Sequence, residues 1–214
     1  IDMSNSMSYQ LFPTRTSEEE TGVVEDNYDV LAGNIDSKEI GLILAVDSKN
    51  GVDKSLIESL GFASTENISF DDILNKEIKL ITNNDYYKQL GANFIPDSNY
   101  EKMYNSTNSI TVKIKAIIRG KEDKEMFTNQ AAIFYTGALV NKIISINKES
   151  DIVKKQEELD YNILTGASFD DTTTKNDILA YLGADEIPAV IYLYPKDFKS
   201  KDKITSYLDK YNKN

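Results

Sequence analysis

Residues 38–47 read Lys-Glu-Ile-Gly-Leu-Ile-Leu-Ala-Val-Asp, and they constrain the fold more than any other stretch. Ile40, Leu42, Leu44 and Val46 alternate onto one face of an extended chain. Ile43 and Ala45 make the second face apolar as well. A strand with two apolar faces has to lie inside a sheet that is covered on both sides. Asn50-Gly51 then turns the chain, and a short helix is expected, with Leu56, Ile57 and Leu60 facing inward and Gly61 at its end. Ser55 and Glu58 have capping-box spacing, with Asp53 as an earlier start.

The rest of the chain alternates between the two periods. Residues 1–27 are polar and acidic, with Leu11 and Phe12 as anchors for a short strand. Glu77 to Thr82 reads as a strand, and residues 93–108 as a long loop. In residues 109–119, Ile110, Val112, Ile114, Ala116 and Ile118 alternate with Thr111, Lys113, Lys115 and Ile117. This predicts one buried face and one mostly solvated face. Residues 131–146 start as a strand and pass into a helix bearing Leu139, Val140, Ile143 and Ile144. Residues 150–160 continue as a charged helix.

Thr172, Thr173 and Thr174 are N-cap candidates for a helix that buries Ile178, Tyr181 and Leu182 and stops at Gly183. Residues 189–194 read as a second central strand. On the last helix, about 199–213, Ile204, Tyr207, Leu208 and Tyr211 follow i, i+3, i+4, i+7. Strands interleaved with helices predict an α+β fold, a sheet with helices packed on it.

Composition removes whole classes of chemistry. The chain has no Cys and no His, so thiolate nucleophiles, Ser-His-Asp triads and His-ligated metals are excluded. A formal net charge of −11 argues against nucleic acid as a partner. All 24 cationic residues are Lys except Arg15 and Arg119, so bidentate recognition of phosphate is scarcely provided for. No run of about 18 apolar residues occurs.

No nucleotide-binding loop or nucleophile elbow is present. Residues 47–58 have an outline like a calcium loop, but Lys49 stands at a ligand position, so the stretch reads as a turn. Asp71-Asp72 and Asp170-Asp171 are adjacent carboxylates without a pattern that sets them in a cleft. No catalytic residue, cofactor-binding residue or metal ligand is assigned. The aromatic residues offer one surface: Tyr192 and Tyr194 share a strand face, which reads as core with hydroxyls at its edge or as a partner-binding face.

The segment Pro188-Ala189-Val190-Ile191-Tyr192-Leu193-Tyr194-Pro195-Lys196-Asp197-Phe198, followed by Tyr207-Leu208-Asp209-Lys210-Tyr211-Asn212, carries a resemblance. It resembles the extracellular domain of FtsX-like (MacB-type) ABC transporter permeases of Gram-positive bacteria. Tyr28 to Gly33, Glu39 to Asp47, Leu56 to Gly61, Ser69 to Tyr87, Ile114 to Arg119, Tyr135 to Leu139 and Leu164 to Gly166 are similar to further elements of that family, in order. Ala116 stands where the family commonly has Gly. The likeness spans residues 28–214.

The resemblance implies a mixed-sheet porter-like subdomain in two parts, 28–61 and 129–214, around an inserted smaller β-rich subdomain at 62–128. It implies a position on the extracellular face of the plasma membrane, without catalysis and without a cofactor. The implied partners are transmembrane helices of the same full-length chain, a cytoplasmic ABC ATPase, a second permease copy or paralogue, and a peptide, lipid or lipoprotein substrate. The final helix would be the coupling lever, docked on the sheet through Ile204, Tyr207, Leu208 and Tyr211, so that Leu208→Asp would detach it. A free-standing secreted binding protein, adhesin or carboxylate-dependent hydrolase is the alternative.

Overall fold

A computed structural model describes residues 9–11, 26–36, 38–64, 66–124, 131–184, 193, 195 and 197–213. The chain order is β1 (Tyr9–Leu11), β2 (Tyr28–Gly33), β3 (Leu42–Val46), α1 (Lys54–Ser59), α2 (Phe70–Asn75), β4 (Glu77–Leu80), α3 (Asn83–Tyr86), β5 (Tyr87–Leu90), β6 (Asn93–Pro96), α4 (Tyr100–Tyr104), β7 (Ile110–Gly120), β8 (Ala132–Tyr135), α5 (Gly137–Lys148), α6 (Asp151–Glu158), α7 (Lys175–Tyr181) and α8 (Phe198–Tyr211).

β3 lies inside the sheet, as its two apolar faces require. It pairs parallel with β7 and antiparallel with β8, and all five of its residues are buried. The strands run β1-β8-β3-β7-β2, and β4 pairs antiparallel with the first part of β7. Parallel and antiparallel pairs mix in one sheet, and helices cover it, so the expected α+β class holds.

Leu42, Leu44 and Val46 point to the face packed by Leu56 and Leu60 beside α1, Ile73 of α2 and Leu139 of α5. Ile43 and Ala45 point to the other face, with Ala116, Ile118 and Phe134, against which Tyr28 and Ile35 pack. The α1 helix buries Leu56 and Ile57 as expected, and Gly61 takes φ +80° at its end. Ser55 and Glu58 do not form its cap: the N-cap is Asp53, without a side-chain bond.

β7 departs from the sequence reading. It was expected to bury one face, with Ala116 and Ile118 beside Val112 and Ile114. Val112, Ile114 and Ile117 face the helices, whereas Ala116 and Ile118 face the opposite side. The change of parity comes from an irregularity around Lys115, where the pairing with β3 steps from Leu42↔Ile114 to Ile43↔Ala116. An extra residue in a strand swaps the faces of everything after it. From Ala116 to Ile118 the strand is therefore buried on both sides. Gly33 accommodates the irregularity: at φ +76°, a Cβ there would sit 2.0 Å from the Lys115 carbonyl oxygen.

A second core lies beside the sheet. Phe94 of β6, Ile152 and Val153 of α6, Ile163, Ile178 of α7, Leu182 and Ala184 pack together. Gln156, fully buried, ties its loop down: Nε2 donates to the Tyr161 carbonyl at 2.8 Å, and Oε1 accepts from Ile163 N at 2.9 Å. Asparagines bridge from this core to α3. Asn83 Nδ2 donates to the Leu182 carbonyl at 2.8 Å, and Asn84 Oδ1 accepts from Asp151 N at 2.9 Å.

An inserted subdomain at 62–128 is not confirmed, because the described residues of that stretch form no core of their own. Ile73, Ile78, Val112 and Ile114 share one core with Leu44, while Phe94 belongs to the second core with residues beyond 150. Nor is 93–108 a structureless loop. It forms β6, paired with β5, and α4, whose N-cap Asn99 accepts from Lys102 N. Tyr181, expected inside, is 71% exposed. Its neighbour Tyr87 is pushed up to about 12, first by burial and then by Tyr181 and Tyr86. The predicted strand at 189–194 lies outside the described residues, apart from the exposed Leu193.

Candidate functional site

The sequence reading placed a candidate partner surface at Tyr192 and Tyr194 and a coupling helix after them, and that helix, α8, does form. Asp197 caps it, its carboxylate accepting from Ser200 N at 2.6 Å. Straight-chain lysines fill the helix without Gly or Pro, and Lys210 lies in the last turn, where a cation suits the helix dipole.

The expected docking of this helix on the sheet is not seen. No residue of α8 is buried. Tyr207 is 69% exposed, Leu208 45% and Tyr211 71%, while Ile204 is half-buried. Among the described residues, none of the buried clusters, nor the partly buried residues packed on them, includes a residue of α8. The strand expected to receive the helix lies outside the described residues, as do Tyr192 and Tyr194.

The four residues share one helical stripe, so α8 presents three aromatic or aliphatic side chains to solvent beside Lys203 and Lys210. Tyr combines apolar area with a polar tip, which suits a surface that is covered by a partner at some stage. The effect expected of Leu208→Asp changes accordingly. With the side chain already half in water, the isolated chain should lose no more than about 0.5 kcal/mol. Urea unfolding followed by circular dichroism checks this, and a loss of several kcal/mol would show the helix to be docked.

The carboxylates weighed as catalytic candidates serve turns and caps. Asp170 accepts from Thr172 N and Thr173 N, both at 2.8 Å, and from Thr172 Oγ1 at 2.6 Å. Asp72 accepts from Ser69 Oγ at 2.6 Å in a capping box at the start of α2. Asp177 does the same with Thr174 at the start of α7, so Thr174 is the cap among the three threonines. Asp47 accepts from Lys49 N and Gly51 N, closing a turn with Asn50 at φ +61°. Among the described residues, no group of three or more acidic side chains is placed to hold a metal ion.

Hydrogen bonds to these carboxylates have a pH signature. Bonds from Thr172 hold Asp170 below its ordinary 3.8, and bonds from Thr174 do the same for Asp177. A backbone bond from Asn99 and then a bond from Lys88 lower Asp97. A carboxylate depressed in the folded state stabilises the fold above its unfolded value. That contribution is lost as pH falls through the folded value. The melting temperature should therefore fall on acidification below about pH 4. Thermal scans between pH 7 and pH 3 read this out, and a rise on acidification would contradict it.

No helix among the described residues is long and apolar enough to cross a membrane. Compared with protein-family models, with curated proteins and with solved structures, the chain matches none.

Proposed function

We propose that the chain is the extracellular domain of an FtsX-like ABC transporter permease. In this reading it is a non-catalytic module that couples ATP hydrolysis on a cytoplasmic subunit to the handling of an extracellular amphiphile, peptide or lipoprotein. The observation that carries the proposal is α8, whose stripe leaves Tyr207, Leu208 and Tyr211 exposed, with Ile204 half-buried beside them. A coupling element has to offer such a surface to the part of the assembly that moves it. The order of family-like segments from Tyr28 to Asn212 supports the same reading. The mixed sheet supports it too, because a packed α/β body moves as a unit rather than deforming.

The test starts from the gene. An apolar run of about 20 residues upstream, and further such runs downstream, are expected. A coding region with only a secretion signal upstream and no such runs would overturn the proposal. In the full-length permease, assembled with its ATPase, Leu208→Asp with Tyr211→Ala should uncouple substrate-stimulated ATP hydrolysis while basal hydrolysis continues. Unchanged stimulation would remove α8 from the coupling path.

A further inference from the structure

Only Ser200 and Ile204 of α8 are half-buried, and every residue from Thr205 to Tyr211 is exposed. A helix of 14 residues is marginal in water unless packing supports it, and this one buries none of its residues. Its second half therefore calls for a cover, and the side chains there indicate of what kind.

With about 100° of turn per residue, Tyr207, Leu208 and Tyr211 share one face. Lys203 and Lys210 lie about a quarter turn to one side of that face, and Lys201 about a quarter turn to the other. Asp202 and Asp209 lie at the opposite pole. Lysines thus flank the exposed face, and the acids of the helix are turned away from it. These lysines are uncommitted. None of the ion pairs among the described residues uses one from α8, whereas Lys113, Lys115 and Lys154 elsewhere are paired. The helix carries four lysines against two aspartates, in a chain whose formal net charge is −11.

We propose that the second half of α8 docks on an anionic lipid surface. Lysines beside an apolar stripe lay their stems along the boundary and hold their ammonium groups among the headgroup phosphates. Tyr207 and Tyr211 place a ring at that depth and a hydroxyl in the headgroup layer, where tyrosine is enriched. Leu208 reaches the acyl chains between them. A protein groove over the same face would have to take two phenol hydroxyls and the flanking ammonium groups out of water, which is costly. The acidic remainder of the chain does not cancel the attraction, because charges more than about 8 Å away are largely screened at physiological salt. It turns the body away from the lipid and so fixes how the chain stands on it. The inference uses the helix of the permease reading without resting on that reading. A secreted chain would dock equally, and the flanking gene tests the permease alone.

The chain has no Trp, so Tyr207→Trp introduces a single fluorescent reporter. In the 214-residue chain its emission should shift to the blue, saturably, on vesicles of phosphatidylglycerol and phosphatidylcholine in equal parts. Phosphatidylcholine alone should give no shift, and raised salt should reverse it. Tyr100→Trp is the control: Tyr100, 75% exposed on α4, should report no lipid contact. Adding Lys203→Glu and Lys210→Glu to the reporter should weaken binding by about 25-fold or more, about fivefold for each basic contact. The melting temperature should not change, because both lysines are exposed and unpaired. If that variant does not fold, the salt dependence of the Tyr207→Trp chain reads the same charge contribution.

Several results would overturn the docking. These are no shift at millimolar lipid, an equal shift on phosphatidylcholine alone, an equal shift at Tyr100→Trp, or unchanged affinity in the folded Lys203→Glu, Lys210→Glu variant. A blue shift without vesicles that grows with protein concentration, with dimers in sedimentation, would show that a second copy covers the face instead.

Discussion

Leu44→Ala is expected to lower the free energy of unfolding by about 2–5 kcal/mol. Leu44 is 0% exposed at the middle of β3, facing the side of the sheet on which α1, α2 and α5 pack. The loss has two parts. About 0.8 kcal/mol leaves with each methylene-sized group withdrawn from the core, and a further amount reflects the cavity left behind. Little relaxation can refill that cavity. β3 is pinned by hydrogen-bonded strands on both edges, so the backbone cannot move toward the helices without breaking two ladders. Urea unfolding at 25 °C, with an unchanged slope against denaturant, is the measurement. A loss under about 1 kcal/mol would mean that the helical layer closes onto the sheet freely.

Gln156→Leu probes the second core by a different mechanism. Leucine fills nearly the same volume, so packing is roughly preserved. What is lost is the pair of bonds to the Tyr161 carbonyl and to Ile163 N. Among the described residues neither backbone group has another bond partner, and Ile163 is 0% exposed. Each group left without a partner costs about 1–3 kcal/mol, so the variant should be nearly as unstable as Leu44→Ala. Amide exchange separates the two cases. The Ile163 amide should lose protection in Gln156→Leu, out of proportion to the global change. Full protection at Ile163 would show that water or another carbonyl replaces the glutamine.

What could be read in advance follows from how local each signal is. The doubly apolar run of β3 from Leu42 to Val46, the glycine stops at Gly61 and Gly183 and a threonine cap, Thr174 of three candidates, depend on residues a few positions apart and are found, although Ile40, read on the same face, lies outside β3 and is exposed. The face swap at Lys115 is not local. It depends on which strands flank β7 and on the absence of a side chain at Gly33, far away in sequence. An unbroken apolar alternation from Ile110 to Ile118 conceals it.

The short helices at 83–86 and 100–104 were missed because each is too short to show a helical period, and the first is built of weak helix formers. Asn99 caps the second, beside a turn in which Asp97 accepts from Asn99 N. Thr82 and Asp85 repeat the Ser/Thr-x-x-Asp spacing of the two capping boxes. Only the structure shows that this box is open while its two counterparts are closed. For α8 the stripe was legible and its partner was not, since periodicity states that a face is apolar and not what covers it.

The pairing of the main sheet also sets how the chain must reach it. β3 meets β7 and β8, β2 and β4 meet β7, and β1 meets β8, so among the described residues no strand of the central sheet pairs with its neighbour in sequence. A two-residue hairpin, β5 with β6, stands apart from that sheet. Each central pairing therefore has to close a long loop before it gains a single ladder. Proteins dominated by such distant pairings fold in milliseconds to seconds rather than microseconds. During synthesis, the Leu42–Val46 segment lacks its first hydrogen-bonding neighbour until residue 119 has emerged and its second until residue 135, an apolar strand open on at least one edge for the whole interval. The lysines and aspartates on either side of it, Lys38, Asp47 and Lys49, are placed where gatekeeping charges keep such a segment from pairing with another chain.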